Sequence, residues 1–353
     1  MGQKSGRRLR MPAFRLATLV AFACVACSSP VIGGSSVSSD GGIVSADVAN
    51  DTRVTTEMQP LYLAFTFHLE AEQLVADETS FTRYVDNIRS TAELFHKNGA
   101  IATWEAAEIV EKSKTYGVNI LKELETGGDA IGLHANGAGY VPTDKNYSTE
   151  KMEAELLKQR ANIDALGVTV RHVSNICSSV DWVRAVQTAK FEAVTGVIEY
   201  CLKSLPDPGA AANCDGPQHC HTAYPYEIKD SVSSWYAESG SNWTTPAVSG
   251  TLILPTANPV PCSAEVASGA VSPTQCGYAN DDATATLAQI EMAVAARKPG
   301  KVNSHVLVAS FGQTPNSQVM QTLLQEIKTR YVDTGKAIWA KVPDLIDLQM
   351  SQK

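Results

Sequence analysis

Leu61-Tyr62-Leu63-Ala64-Phe65-Thr66-Phe67-His68 decides the fold. Large apolar side chains stand on the odd positions, while Ala64, Thr66 and His68 on the even positions are small or polar. A period of two is that of a β-strand with one face packed. Its other face ends on an imidazole. Downstream, Phe81, Tyr84, Val85, Ile88, Ala92 and Phe95 recur at three and four residues, and Asn98-Gly99 supplies a helix stop. Ala100 to Trp104 reads as a second strand, Ile120, Leu121 and Leu124 as a helix ended by Gly127-Gly128, and Asp129 to His134 as a third strand.

The same order continues to the C-terminus. Ser148 is placed to cap a helix closed by Gly167, Val168 to Ser174 is a fourth strand, and Asp181 is placed to cap the next helix. Strands are also expected at 192–200, 305–311 and 337–340, with a helix over 317–331 before the last. Strands alternating with helices imply a parallel sheet, and such sheets bind ligands at the carboxyl ends of their strands. Residues 201–300 break the rhythm, with many Pro, Gly, Ser and Thr and the aromatics Tyr224, Tyr226, Trp235, Tyr236 and Trp243. They read as a long insertion, whose aromatics either stack on sugar rings or pack a small core of their own.

The N-terminus stands apart. Lys4, Arg7, Arg8, Arg10 and Arg15 precede an apolar run from Leu16 to Ala26 that is too short to span a bilayer, the pattern of an export signal. It ends Cys24-Val25-Ala26-Cys27-Ser28, which resembles a bacterial lipobox and implies lipidation at Cys27 and a membrane anchor, with simple secretion as the alternative. Residues 1–27 are thus expected to be a signal, 28–58 a Ser- and Gly-rich linker, and 59–353 the folded body. The remaining cysteines suit an oxidising compartment, and proximity favours Cys177 with Cys201, Cys214 with Cys220, and Cys262 with Cys276. A net charge of −8 and the lack of a basic block beyond the N-terminus argue against a nucleic-acid partner.

Chemistry concentrates at strand ends. The alternation sets His68 and Glu70 on one side, and His134 ends another strand, so that three N and O donors suited to a divalent ion meet at one mouth. Structural histidines and a loop charge are the alternative reading. Glu105, Asp181 and His172 are candidates for proton transfer, although Asp181 doubles as a helix cap and His172 lies inside its strand. His305 opens its strand, at the end away from the mouth, and is set aside. No Gly-rich phosphate loop, Gly-x-Ser-x-Gly or His-Glu-x-x-His occurs, which removes the usual support for nucleotide, serine-hydrolase and zincin readings.

The run from Tyr62 to Glu70, then Ala102-Thr-Trp-Glu105 and Glu125 to His134, resembles the polysaccharide deacetylase (NodB-homology) superfamily. The resemblance implies an irregular seven-stranded parallel (β/α) barrel and a metal-dependent hydrolase acting on an acylated carbohydrate, with Zn2+ as the expected cofactor. Thr66-Phe67 keeps the start of the family's first motif, but His68 and Leu69 stand where it has two aspartates. His134 fits the first histidine of the second motif, Ala138 stands in place of the second histidine, and Ser310 stands roughly where the family has its catalytic acid histidine. Hence the site is either rebuilt around His68, Glu70 and His134, or the barrel is a noncatalytic carbohydrate-binding or scaffolding module. Trp104, Asn136, Trp182 and Trp235 are the expected substrate contacts.

Overall fold

The computed structural model describes residues 58–69, 75–135, 147–209, 232–256, 280–311 and 314–352. The expected signal, the expected linker up to residue 57, Glu70, Asn136, Ala138, Tyr224, Tyr226 and the four cysteines Cys214, Cys220, Cys262 and Cys276 lie outside these residues. Among the described residues no helix is long and apolar enough to cross a membrane.

The strands are β1 (Leu61–Leu69), β2 (Ala102–Ala106), β3 (Ala130–His134), β4 (Val170–Ser174), β5 (Ala193–Val194), β6 (Trp235–Ala237), β7 (Thr251–Ile253), β8 (Asn303–Ser310) and β9 (Ala337–Trp339). They form one curled sheet in the order β6-β7-β5-β4-β3-β2-β1-β8, with β9 also on β1. All pairings are parallel except β6 with β7. The far sides of the sheet meet at an isolated parallel bridge between Thr256 and Val306, where the Val306 amide donates to Pro255 O at 2.9 Å.

The expected seven strands become nine among the described residues. The addition comes from the stretch read as insertion, which contributes β6 and β7, and β7 pairs directly with β5 as part of the sheet. The same stretch holds a helix, Asn280–Ala295. Its strands are three residues each, too short for a run of alternation to stand out. The fifth strand is shorter than expected, because Gly196 turns the chain at a φ of 65° and a 3-10 turn follows over Glu199–Ser204. Cys177 and Cys201 form the expected disulfide, fastening that turn to the chain after β4.

Helices cover the sheet as α1 (Glu78–Lys97), α2 (Ile109–Tyr116), α3 (Ile120–Thr126), α4 (Thr149–Asp164), α5 (Trp182–Thr188), α6 (Asn280–Ala295), α7 (Ser317–Ile327) and α8 (Val342–Met350). The odd residues of β1 face them. Phe65 and Phe67 meet Phe95 of α1 edge-on at 5.2 and 5.3 Å, and Phe67 stacks on Trp104 at 4.6 Å. The even residues face the barrel interior. There Ala64, Ala193, Leu252, Val306 and Val308 pack with Val342, Leu345 and Ile346, so α8 closes the amino end of the barrel and leaves the carboxyl end to the polar residues.

His305 sits in β8 with 7% of its surface exposed, and neither ring nitrogen has a hydrogen-bond partner among the described residues. Burial alone pushes its pKa from 6.5 down to about 4. Between those values the unfolded chain takes up a proton that the folded chain refuses, so stability falls as the pH drops through this window. The full loss below the window is about 3 kcal/mol. Urea unfolding of the parent and His305→Leu at pH 7 and pH 4.5 measures it. The variant is expected to lose less stability on acidification, and an equal loss in both would refute the assignment.

Candidate metal centre

Three neighbouring strands bring their interior faces together at the carboxyl end. β1 and β2 are in register with His68 opposite Glu105, and Glu105 is in turn opposite Gly132, two residues before His134 on β3. Two residues along a strand return to the same face, so His68, Glu105 and His134 converge. One ligand atom from each lies within 4.8 Å of those of the other two. His68 Nε2 is 2.8 Å from Glu105 Oε2, and the rings of His68 and His134 are 4.3 Å apart. Glu105 is fully buried, and the His68 side chain keeps 14% of its surface. The cluster therefore has its open side at His68.

A second layer holds this one. His134 Nδ1 and Ser174 Oγ are 3.0 Å apart, which with a proton on Nδ1 makes Nε2 the ring nitrogen able to ligate. Thr195 Oγ1 donates to Glu105 Oε1 at 2.6 Å, and His172 Nε2 lies 3.3 Å from the same oxygen. Burial by itself raises the Glu105 carboxyl. The positive charge of His68 and the contacts from His172 and His68 outweigh it, and hold Glu105 well below the usual carboxylate range. An ionised carboxylate with two imidazoles fits the donor set of a catalytic Zn2+ or a similar divalent ion.

His172 owes its place to a register slip. β3 and β4 pair as Ile131 with Val170 and then Leu133 with Val173, so two residues of β4 stand opposite Gly132. The imidazole lies directly over that glycine, where a Cβ would fall 2.2 Å from Nε2. Sequence reading gave His172 as a candidate for proton transfer inside its strand, and its place beside Glu105 was hidden because a bulge leaves no mark in the alternation. Ser174, Thr195 and Gly132 were not singled out. Ser174 alone had a usable signal, standing two residues after His172 on one strand.

The other expected site residues fall elsewhere. Asp181 caps α5 by accepting from the Arg184 amide at 3.1 Å, and it also accepts from the Gly240 amide at 2.7 Å, so its carboxylate is occupied away from the cluster. Trp104, expected at the substrate, is buried on the opposite face of β2, with Nε1 donating to Asp129 at 2.8 Å. Trp182 is buried, donates to Ser204 Oγ and meets Trp243 edge-on at 5.8 Å. Trp235 is also buried and donates to Trp243 O at 2.7 Å. These indoles pack a local core because a large apolar body with one donor is satisfied there by a single acceptor. Among the described residues, Glu105 is the carboxylate beside His68 and His134; Glu70, expected in the ligand set, lies outside them.

The curled, mostly parallel α/β sheet is shared with solved structures at low sequence identity. A putative polysaccharide deacetylase from Mycobacterium smegmatis superposes with a TM-score of 0.51 at 9% identity, over 84% of this chain and 96% of that one. A mutant CE4 family pseudoenzyme with restored enzymatic activity gives 0.41 at 10% identity, over 82% of this chain and 69% of the other. A 4-alpha-glucanotransferase from Thermococcus litoralis gives 0.48 at 13% identity, with 82% of this chain matched to 40% of that longer one. No protein-family model and no curated protein sequence matches the chain.

Proposed function

We propose that the chain is a metal-dependent hydrolase that removes an acyl group from a carbohydrate, with a divalent ion, Zn2+ by its donor chemistry, held by His68, Glu105 and His134. The observation that carries the reading is the convergence of two imidazoles and an ionised carboxylate from three adjacent strands. The fold shared with the M. smegmatis protein supports an acylated sugar as the substrate class. When bound in such a set, a divalent ion lowers the pKa of water and polarises an acyl carbonyl. The chain's own part is to fix the donors in advance. Ser174 orients the His134 ring, Thr195 orients the Glu105 carboxylate, and the buried walls at Glu105 and His134 keep bulk water from competing for the donors.

Elemental analysis of the purified chain and of a His68→Ala/His134→Ala variant tests this. About one equivalent of divalent metal is expected in the parent and none in the variant, with acetate release from an acetylated amino-sugar oligosaccharide lost in parallel. Absence of metal in the parent after reconstitution overturns the hydrolase reading in favour of a noncatalytic carbohydrate-binding barrel.

A further inference from the structure

The second layer around Glu105 combines one hydrogen bond, from Thr195, with a close imidazole contact from His172. The two carboxylate oxygens have different surroundings. Oε2 faces His68 Nε2 at 2.8 Å, toward the open side of the cluster. Oε1 faces inward, where Thr195 Oγ1 at 2.6 Å and His172 Nε2 at 3.3 Å reach it from β4 and the end of β5. All three groups are buried, so none of these partners is exchangeable with bulk water at low cost.

His172 is costly to keep here. Its ring is fully buried, and neither Nδ1 nor Nε2 completes a hydrogen bond among the described residues, so the Glu105 oxygen 3.3 Å from Nε2 is the polar contact that the position provides. The fold makes room for it twice over, by the slip in β4 and by a glycine beneath the ring. A leucine or valine at residue 172 would fill space in the barrel but offer no polar atom to Glu105. The arrangement makes sense if the imidazole does something to Glu105 that packing does not.

Resting on the metal-centre reading above, we infer that His172 is a positioning residue for the ion: with Thr195 it occupies Glu105 Oε1, and so commits Oε2 to the ligand set beside His68 and His134. A carboxylate free to rotate would offer either oxygen, or both, and would pay for the choice on binding. A carboxylate held at one oxygen pays beforehand, which is why loss of such outer partners commonly lowers metal affinity by about 10- to 100-fold.

The test uses Co2+ added to the metal-free full-length chain, followed by visible absorption, in the parent, His172→Leu, His172→Gln and Thr195→Val. The parent is expected to bind about one equivalent with ligand-field bands. His172→Leu should bind about 10- to 100-fold more weakly, with bands that shift in position and intensity, because Glu105 changes its mode of ligation. Glutamine can donate to Oε1 from its side-chain amide, and His172→Gln should recover most of the affinity and the parent spectrum. Thr195→Val should move affinity and spectrum in the same direction as His172→Leu. Thermal melts of the metal-free proteins identify any variant that has not folded, and His172→Gln then carries the comparison.

Two failures are distinct. No Co2+ binding by the parent removes the metal centre itself, and this inference with it. Parent-like affinity and an unshifted spectrum in folded His172→Leu leave the metal centre standing and overturn the positioning role.

Discussion

Gly132→Ala is expected to destabilise the protein by about 3 kcal/mol, the upper end of what overpacking ordinarily costs, and to abolish high-affinity metal binding with it. The added methyl would lie 2.2 Å from His172 Nε2, 2.5 Å from Cε1 and 2.9 Å from Cδ2, so it meets the flat of the ring rather than one flexible tip. The ring has little freedom to withdraw. Glu105 stands at its Nε2 side, and the β4 backbone that carries it is paired to β3 and β5. Either the two strands separate, breaking parallel pairing beside the cluster, or the imidazole leaves its rotamer and releases Glu105 Oε1. Gly132→Ala/His172→Ala discriminates these costs from a backbone effect. It should regain most of the lost stability, since the collision is gone, while keeping the weakened Co2+ affinity of a protein without the His172 contact. Urea unfolding of the two variants and the parent reads the first, and Co2+ titration the second. A single Gly132→Ala variant that unfolds and binds like the parent would show that glycine is not needed there.

How much of this was legible in the sequence follows from which interactions are local. The alternation in 61–68 predicted β1 nearly to the residue, and its odd and even faces are the two faces of the sheet, because one-sided burial imposes a period of two on any strand long enough to display it. The capping roles of Ser148 and Asp181 were also visible, since a cap and the amide it accepts from are three residues apart. What was hidden depends on pairs far apart in sequence. Glu105 was recognised as facing the mouth, but only the β1 to β2 register makes it the neighbour of His68. The bulge that aims His172 exists only in the pairing of β3 with β4. Trp104 was expected to contact the substrate, yet a shift of one residue along a strand reverses the face, and Trp104 therefore points into the helix layer when Glu105 points into the barrel.

That buried face supplies the second large effect, expected for Asp129→Ala. Asp129 opens the turn into β3, and its carboxylate is nearly inaccessible. Oδ2 accepts from Trp104 Nε1 at 2.8 Å, while Oδ1 accepts from the Ala102 amide at 3.1 Å and lies 2.9 Å from His96 Nε2. Alanine strands two donors that sit where water cannot reach, Trp104 and Ala102 both being completely buried, and each costs about 1–3 kcal/mol when left unmade. His96 adds little, because its side chain is 36% exposed and water replaces the carboxylate. The expected loss is about 4 kcal/mol by urea unfolding. Asp129→Asn retains one acceptor oxygen and should lose about half as much. In Asp129→Ala/Trp104→Phe the indole donor is removed along with its acceptor, so the double variant should lie well short of the sum of the single losses. Full additivity would mean that the bond to Trp104 contributes nothing beyond the ring's packing on Phe67. The effect should also reach the opposite face of β2. Trp104 and Glu105 are consecutive residues on one strand, and an indole that is no longer held at Asp129 leaves the strand freer to turn, which should lower Co2+ affinity in Asp129→Ala although the substitution touches no member of the cluster.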